Sequence, residues 1–156
     1  MTTPITSFSG RYSFLSNFSP APVYILIGTK WVRCPTVEHG FQASKTLSQH
    51  WRRKIVDAPT ARDAKAFGHK VQRVSYWEDV KIVVMLELLR QKFSRSKLRD
   101  QLVRTELATL IEGNTWHDNF WGICSCGTCS DARRRDDIDG QNWLGKLLMR
   151  VRKDIQ

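Results

Sequence analysis

Capped helices constrain the fold of this chain more than any other feature of its sequence. A serine or threonine that can cap a helix precedes each of three segments with helical character. The predicted helices are Val37 to about Leu47, Ala61 to Phe67, and a segment opened by Ser75-Tyr-Trp-Glu78 that runs to about Phe93. The last has the spacing of a capping box. Shorter helices are predicted at Lys97 to Arg104 and at Trp143 to Arg152, so helices dominate the fold.

Strand signals are few by comparison. A β-branched run extends from Val23 to Ile27, and Gly28-Thr29-Lys30 predicts a turn after it. The chain then runs back as a second strand from Trp31 to Cys34, so the segment is predicted to form a β-hairpin. Leu107 to Ile111 fits either a short strand or a helix end. We therefore predict an α+β fold, mainly helical, with a short hairpin and a few short strands. At 156 residues the chain suits a single domain, placed at residues 8–152 after an irregular segment at 1–7.

The charge of the chain points to anionic partners. Lys and Arg number 25 against 15 Asp and Glu, a net charge of +10, which favours nucleic acid, nucleotide phosphates or an anionic membrane surface. The densest apolar stretch, Ile82 to Leu89, is too short to span a membrane, and the first residues lack the pattern of a signal peptide. Four cysteines do not form a secreted disulfide framework. These features predict a cytoplasmic protein.

A polar stripe on the first predicted helix is one place for chemistry. Glu38, Gln42 and Lys45 are spaced i, i+4 and i+7, so they share one face of a helix, beside a stripe that can face the core. Their carboxylate, amide and amine can serve as a general base, a ligand-orienting donor and a nucleophile. The alternative is an ordinary solvated helix face.

A second place is the polar segment from Gly113 to Gln141, which is long for a loop in a compact domain. It holds aromatic rings that can stack a nucleobase and Asp118, which can orient a water or a ribose hydroxyl. The alternative is that Trp116, Phe120 and Trp121 anchor the loop to the core while Asp118 caps a nearby group.

Three cysteines follow in the same segment. Cys124, Cys126 and Cys129 have spacings compatible with zinc, but a structural site needs four ligands and no second Cys-x-x-Cys is present. Only His117 and Cys34 remain to complete a set, so no metal site is predicted and the thiols are expected to be reduced and unligated. Arg133-Arg-Arg135 can either contact phosphate or offset the neighbouring aspartates.

Several separate stretches match one family pattern in order and spacing. They are Phe14-Leu-Ser-Asn-Phe18, Val37-Glu-His-Gly-Phe-Gln-Ala-Ser-Lys45, Ala64-Lys-Ala-Phe-Gly68, Trp77 with Val80-Lys81 and Met85, Lys92-Phe93, Thr105-Glu-Leu-Ala-Thr-Leu-Ile-Glu112, Asp118 with Trp121-Gly122, and Gly140-Gln-Asn-Trp-Leu-Gly-Lys-Leu-Leu-Met-Arg-Val-Arg152. The chain thereby resembles the NADAR family, also called YbiA-like, over about Phe8 to Arg152. One departure is visible, because the family's usual Thr-Gly-Asp is Thr105-Glu106-Leu107 here.

The resemblance implies a mostly helical α+β domain that hydrolyses N-glycosidic bonds between a ribose and an amine, without a cofactor or metal. It implies catalytic roles for Glu38, Lys45 and Asp118. It further implies ligand contacts at Asn17, Phe18, His39, Gln42, Trp77, Trp121, Gly122 and Asn142.

Two substrate classes are associated with the family. One is ADP-ribose on the amino group of guanine, in nucleic acid or nucleotide, and the other is the phosphoribosylamino-pyrimidine intermediates of riboflavin synthesis. The strong positive charge favours the first, with ADP-ribosylated DNA or RNA as a partner and no membrane. A non-catalytic ADP-ribose or nucleic-acid binding module is the remaining alternative. The sequence makes no prediction about oligomeric state.

Overall fold

A computed structural model describes residues 2–129 and 140–156, so the segment Arg133-Arg-Arg135 lies outside the described residues. The chain divides into two compact units, each taken on its own below. The hairpin unit comprises residues 17–98, and the loop unit comprises residues 2–16 and the described residues from 99 onward. No helix of the described residues is both long enough and apolar enough to cross a membrane.

The predicted hairpin is present in the hairpin unit. Strand β1 (Val23–Ile27) pairs antiparallel with β2 (Lys30–Cys34), with Val23 opposite Cys34 and Ile27 opposite Lys30. Gly28 turns the chain with a φ of 62°, a conformation that glycine adopts without steric cost. Alternate residues of β1 are buried, which gives the hairpin one core-facing side.

Four helices complete the hairpin unit. They are α1 (Val37–Ala43), α2 (Gln49–Val56), α3 (Ala61–Gly68) and α4 (Trp77–Phe93). The predicted caps at Thr36 and Thr60 are confirmed, since each side chain accepts a backbone N–H of the first turn. The predicted capping box is wrong. Helix α4 starts at Trp77 after Tyr76, which makes no side-chain cap, and the Glu78 carboxylate binds Arg73 and Lys81 instead.

Helix α1 is shorter than predicted and is buried on every side. It ends at Ala43, where the Ser44 hydroxyl donates to the carbonyl of Gly40 at 2.8 Å, a side-chain bond that competes with helix propagation. All seven residues of α1 are buried, and it packs against β1, β2, α2, α3 and α4. Gly40 permits this approach, because a Cβ there would lie 3.1 Å from both Leu88 and Val23. The polar side chains of α1, which belong to Glu38, His39 and Gln42, are therefore buried and not exposed to solvent.

The loop unit holds shorter elements. A 3₁₀ helix (Gly10–Leu15), the parallel strands β3 (Gly113–Asn114) and β4 (Ile123–Cys124), and α6 (Trp143–Ile155) belong to it, and α5 (Ser96–Val103) runs into it from the preceding unit. Ile5 forms a parallel bridge with Leu110, within the segment predicted as a strand or helix end. The strand pair β3–β4 lies within the segment predicted as a loop. The helix-rich α+β class is confirmed.

Two buried contacts shape the region that follows α5. The guanidinium of Arg152 in α6 is buried and donates to Thr105 Oγ1 at 2.7 Å and to the Ala108 carbonyl at 3.0 Å. Glu106 lies between these two residues in the sequence, and its φ of 50° falls in the left-handed region that residues with a Cβ rarely adopt.

Candidate active site

The carboxylate of Glu38 is buried in the centre of the hairpin unit. Only 6% of Glu38 is exposed, and its Oε1 accepts a 2.6 Å hydrogen bond from Nε2 of Gln42, which is 3% exposed. A buried carboxylate costs free energy unless its environment compensates for the lost solvation. The alternative that this polar stripe is a solvated face is therefore wrong.

The other end of the Gln42 amide is packed against α3. A Cβ on Gly68 would lie 2.7 Å from Cδ of Gln42 and would overlap its Oε1. Among the described residues, this buried Oε1 has no hydrogen-bond partner. Gly68 thus makes room for the amide, and the amide has one orientation in which to serve Glu38.

Asn17 lies against the N-terminus of α1. Its backbone carbonyl accepts the N–H of Glu38 at 3.1 Å, and its Nδ2 donates to Sδ of Met85 at 3.4 Å. Its Oδ1 is buried and has no partner among the residues that the structure describes. A buried acceptor without a partner is costly, so a ligand donor would stabilise it. This is the geometry expected of the predicted ligand contact.

Lys45 follows α1 rather than lying within it. Its N–H donates to the Gln42 carbonyl at 3.2 Å, and its own carbonyl accepts the N–H of Val74 at 2.8 Å. Burial lowers the pKa of the Lys45 amine, Glu38 acts in the opposite direction, and the positive charges of Arg73 and Lys65 lower the pKa further. A lowered pKa increases the neutral fraction of the amine, which is the form that attacks an electrophile.

Two more predicted ligand contacts have strong structural roles. Nδ1 of His39 lies 2.8 Å from Thr36 Oγ1, and Nε2 lies 3.1 Å from the carbonyl of Ala58. The carbonyl can only accept, so Nε2 carries the proton and the threonine hydroxyl donates to Nδ1. Trp77 is 3% exposed and its ring centroid lies 5.1 Å from that of Phe41. The ligand roles of both residues stay predictions.

An exposed ring and an open pocket lie near Lys45. Phe18 is 42% exposed, with the amine of Lys65 5.9 Å from its ring centroid. Directly after Lys45 the chain lines an open pocket of about 440 Å³. Its lining residues are Thr46, Leu47, Ser48, Trp51, Gln72, Arg73 and Val74. The pocket offers an indole and a guanidinium, which suit a base and a phosphate.

Asp118, the third predicted catalytic residue, belongs to the loop unit. Its Oδ1 accepts the N–H groups of Phe120 at 3.1 Å and Trp121 at 2.8 Å, and its backbone is held by the side chain of Asn114. It therefore caps a turn, as one of the two alternatives expected. Trp116 is 59% exposed, so it does not anchor the loop, whereas the Phe120 and Trp121 rings meet edge to face at 4.9 Å.

The last two predicted contacts also lie in the loop unit. Gly122 is buried where a Cβ would lie 2.8 Å from Nδ2 of Asn114. Asn142 precedes α6, and its side chain accepts from the N–H of Glu112 at 3.1 Å and donates to the Leu110 carbonyl at 2.9 Å. These bonds tie the start of α6 to the chain before β3, and the ligand roles of both residues stay predictions.

The cysteine segment differs from its prediction in one respect. The expectation of no metal site rested on the lack of a fourth ligand, but the structure gathers four donor side chains whose ligand atoms lie within 4.8 Å of one another. We name them the Cys₃His cluster: His117, Cys124, Cys126 and Cys129. Sequence reasoning counted the histidine as available and missed that β3 pairs with β4, which brings it to the thiols.

Comparison with known proteins places this chain in one group. The NADAR domain family matches residues 6–156. The N-glycosidase YbiA of Escherichia coli strain K12 is 34% identical over 152 residues, which cover 96% of this chain and 85% of that protein. An N-glycosidase of Nostoc punctiforme is 34% identical over 93% of this chain and 86% of its own length.

A third relative and a solved structure add to this picture. A riboflavin biosynthesis protein of Vibrio vulnificus is 31% identical over 94% of this chain, which corresponds to 36% of that longer protein. The NMR structure of Escherichia coli YbiA matches with a TM-score of 0.76 and 33% identity, covering 99% of this chain and 86% of the other.

Proposed function

This chain belongs to the NADAR domain family and its relatives include proteins named N-glycosidases, and from that premise we propose that it removes ADP-ribose from the amino group of guanine. The substrate is a nucleic acid or a nucleotide that carries the modified base. The resemblance read from the sequence is confirmed at the level of the family.

The observation that carries the proposal is the buried Glu38 carboxylate next to an amine of lowered pKa. Glu38 is held by Gln42, and its charge acts on Lys45, which follows the same helix. A carboxylate can stabilise the positive charge that develops when a ribosylamine is cleaved, and a lowered pKa favours the neutral amine that can attack C1′.

One route uses Lys45 as the nucleophile. A proton on the ring oxygen opens the ribose, which leaves C1′ as an iminium with the base nitrogen. The neutral amine of Lys45 adds to C1′, a proton moves from Nζ to the base nitrogen, and guanine leaves with its amino group intact. Water then hydrolyses the Lys45 Schiff base and releases ADP-ribose.

The other route uses water directly. As the bond between C1′ and nitrogen breaks, positive charge develops at C1′, which the Glu38 carboxylate stabilises. Glu38 accepts a proton from the attacking water, and the departing nitrogen is protonated. Lys45 then serves only as a ligand for the ribose or a phosphate.

Charge supports the choice of substrate. Lys65 and Arg73 lie close enough to Lys45 to lower its pKa, and both are suited to the pyrophosphate of ADP-ribose. The pocket that follows Lys45 adds Trp51, on which a base can stack. With a net charge of +10, a polynucleotide substrate also gains from phosphate contacts.

A second candidate is cleavage of a phosphoribosylamino-pyrimidine, favoured by the relative named as a riboflavin biosynthesis protein. The deciding experiment incubates the purified chain with guanine-ADP-ribosylated DNA and, separately, with the pyrimidine phosphate. We expect ADP-ribose release from the DNA, and a rate that falls steeply as salt increases. Turnover of the pyrimidine alone would establish the second candidate. Binding of ADP-ribosylated DNA without turnover of either would establish a binding module.

A further inference from the structure

The loop unit contains a set of soft metal ligands that the glycosidase chemistry does not use. In the Cys₃His cluster, Cys124 comes from β4, Cys126 and Cys129 follow it, and His117 comes from the loop after β3. Thiolate sulfur and imidazole nitrogen are the donors that zinc prefers in proteins.

The distances within the cluster are close to the edges of a zinc tetrahedron. Nδ1 of His117 lies 3.3 Å from Sγ of Cys129 and 3.4 Å from Sγ of Cys126, and all four ligand atoms lie within 4.8 Å of one another. Zn–S bonds of about 2.3 Å and Zn–N bonds of about 2.0 Å place sulfur and nitrogen about 3.5 Å apart and two sulfurs about 3.8 Å apart. Adjustments of about 1 Å or less therefore complete the geometry.

Neighbouring groups already aim donors at the sulfurs. The N–H of His117 donates to Sγ of Cys124 at 3.3 Å, and the N–H of Cys129 donates to Sγ of Cys126 at 3.4 Å. Nδ2 of Asn119 donates to Sγ of Cys129 at 3.4 Å. Hydrogen bonds of this kind stabilise thiolates and orient metal ligands from the second layer.

We propose that the Cys₃His cluster binds one Zn²⁺. Four protein ligands fill a tetrahedral site, which is the arrangement of a structural zinc rather than a catalytic one. Binding replaces three thiol protons by the metal, and those protons are released to solvent. The net charge of the occupied site is −1, in a chain that carries a large excess of positive charge.

The position of the Cys₃His cluster indicates what a bound zinc ion would stabilise. His117 directly precedes Asp118, and the bonds of Asn114 hold the backbone of that residue. Zinc therefore ties β4 and the cysteine segment to the chain on either side of Asp118, and restrains the loop that carries this side chain.

Cobalt substitution under a phosphine reductant tests the site, because tetrahedral Co²⁺ with thiolate ligands absorbs in the visible and the near ultraviolet. We expect the full chain, freed of metal by a chelator, to bind one Co²⁺ with a charge-transfer intensity of three thiolates, and Zn²⁺ to displace it. Cys129→Ser and His117→Ala should each weaken binding at least about 10-fold. Cys34→Ser, which alters a buried thiol of β2, should bind like the wild type.

Three results would overturn the proposal. They are the absence of tetrahedral Co²⁺ bands in the wild type, an intensity that fits fewer than three thiolates, or bands that persist unchanged in both Cys129→Ser and His117→Ala. Circular dichroism identifies any variant that fails to fold. In that event the wild-type cobalt spectrum decides, together with the rate at which an alkylating reagent modifies the three thiols. Bound zinc should slow this alkylation, and removing the zinc with a chelator should restore its rate.

Discussion

Nε2 of Gln42 donates a 2.6 Å hydrogen bond to Oε1 of Glu38, one turn away on the fully buried helix α1. The amide cannot turn over without placing its carbonyl oxygen against the carboxylate, so the pair has one stable arrangement. The negative charge of Glu38 is thereby held at a fixed point near Lys45.

Glu38→Gln should abolish most of the activity while retaining the fold. The new amide has the shape of the carboxylate and can still accept from Gln42, but it neither carries charge nor accepts a proton from water. We expect cleavage of guanine-ADP-ribosylated DNA to slow at least about 100-fold. Glu87→Gln, which removes only an exposed ion pair with Arg90, is the matched control and should keep the normal rate.

Lys45→Ala separates the two chemical routes. If the amine forms a Schiff base, borohydride added during turnover should attach ADP-ribose to Lys45, as peptide mass mapping would show. Both Lys45→Ala and Lys45→Arg should then lose trapping and slow about 100-fold, because neither forms an imine. Lys30→Ala, at the exposed hairpin turn, controls for a loss of general positive charge.

A different result for Lys45 identifies the water route. Near-normal rates in Lys45→Ala, combined with an inactive Glu38→Gln, would rule out the covalent intermediate. The rate dependence on pH gives a further check. With a nucleophilic lysine, activity should rise with pH through the lowered pKa of the amine, and this rise should disappear in Lys45→Ala.

Lys92 should make the stability of the fold depend on pH. It is fully buried, its amine donates to Ser19 Oγ at 2.9 Å, and burial lowers its pKa from 10.5 to about 7. Between these values the unfolded chain binds the extra proton, so the free energy of unfolding should rise with pH, by about 2 kcal/mol between about pH 7 and pH 9. As the pH falls, this gain in stability is lost progressively, and the loss is complete once the pH has fallen through about 7.

Lys92→Met removes the titrating group and keeps most of its volume. Urea unfolding of wild type and variant at the two pH values measures the effect, and the variant should lack the rise seen in the wild type. An equal rise in both proteins would show that Lys92 does not titrate in this range.

Gly68→Ala should destabilise the hairpin unit. The added Cβ would overlap the side chain of Gln42 close to its own backbone, so α3 or the amide must move. We expect a loss of about 1–3 kcal/mol in the free energy of unfolding, and slower cleavage because Glu38 loses its fixed partner. In Gly127→Ala, the added Cβ would meet no atom of the described residues within 4 Å beyond its chain neighbours, so thermal unfolding should be unchanged.

Local signals predicted much of the fold. The hairpin and the caps at Thr36 and Thr60 depend on residues adjacent in sequence, and each is present as predicted. The capping box at Ser75 failed because Glu78 has competing partners in Arg73 and Lys81. Both partners lie within five residues of Glu78 in the sequence, but which of the competing bonds forms depends on how the chain folds before α4.

Burial and long-range pairing were harder to predict. The spacing of Glu38 and Gln42 showed that they share a helix face, but only the packing of α1 among five other elements shows that this face is buried. In the same way, the four ligands of the Cys₃His cluster meet because β3 pairs with β4 in parallel. Strands of only two residues have no sequence pattern from which this pairing could be predicted.

The backbone of Glu106 has a consequence for the unfolding free energy. Its φ of 50° lies in the left-handed region, which glycine adopts without steric cost. Because Glu106 carries a Cβ, it holds this conformation at a steric cost of roughly 1 kcal/mol. Its neighbours Thr105 and Ala108 are both bound by the buried guanidinium of Arg152, which holds the backbone on either side. Glu106→Gly removes the Cβ and with it this steric cost, while the acceptors of Arg152 are unchanged.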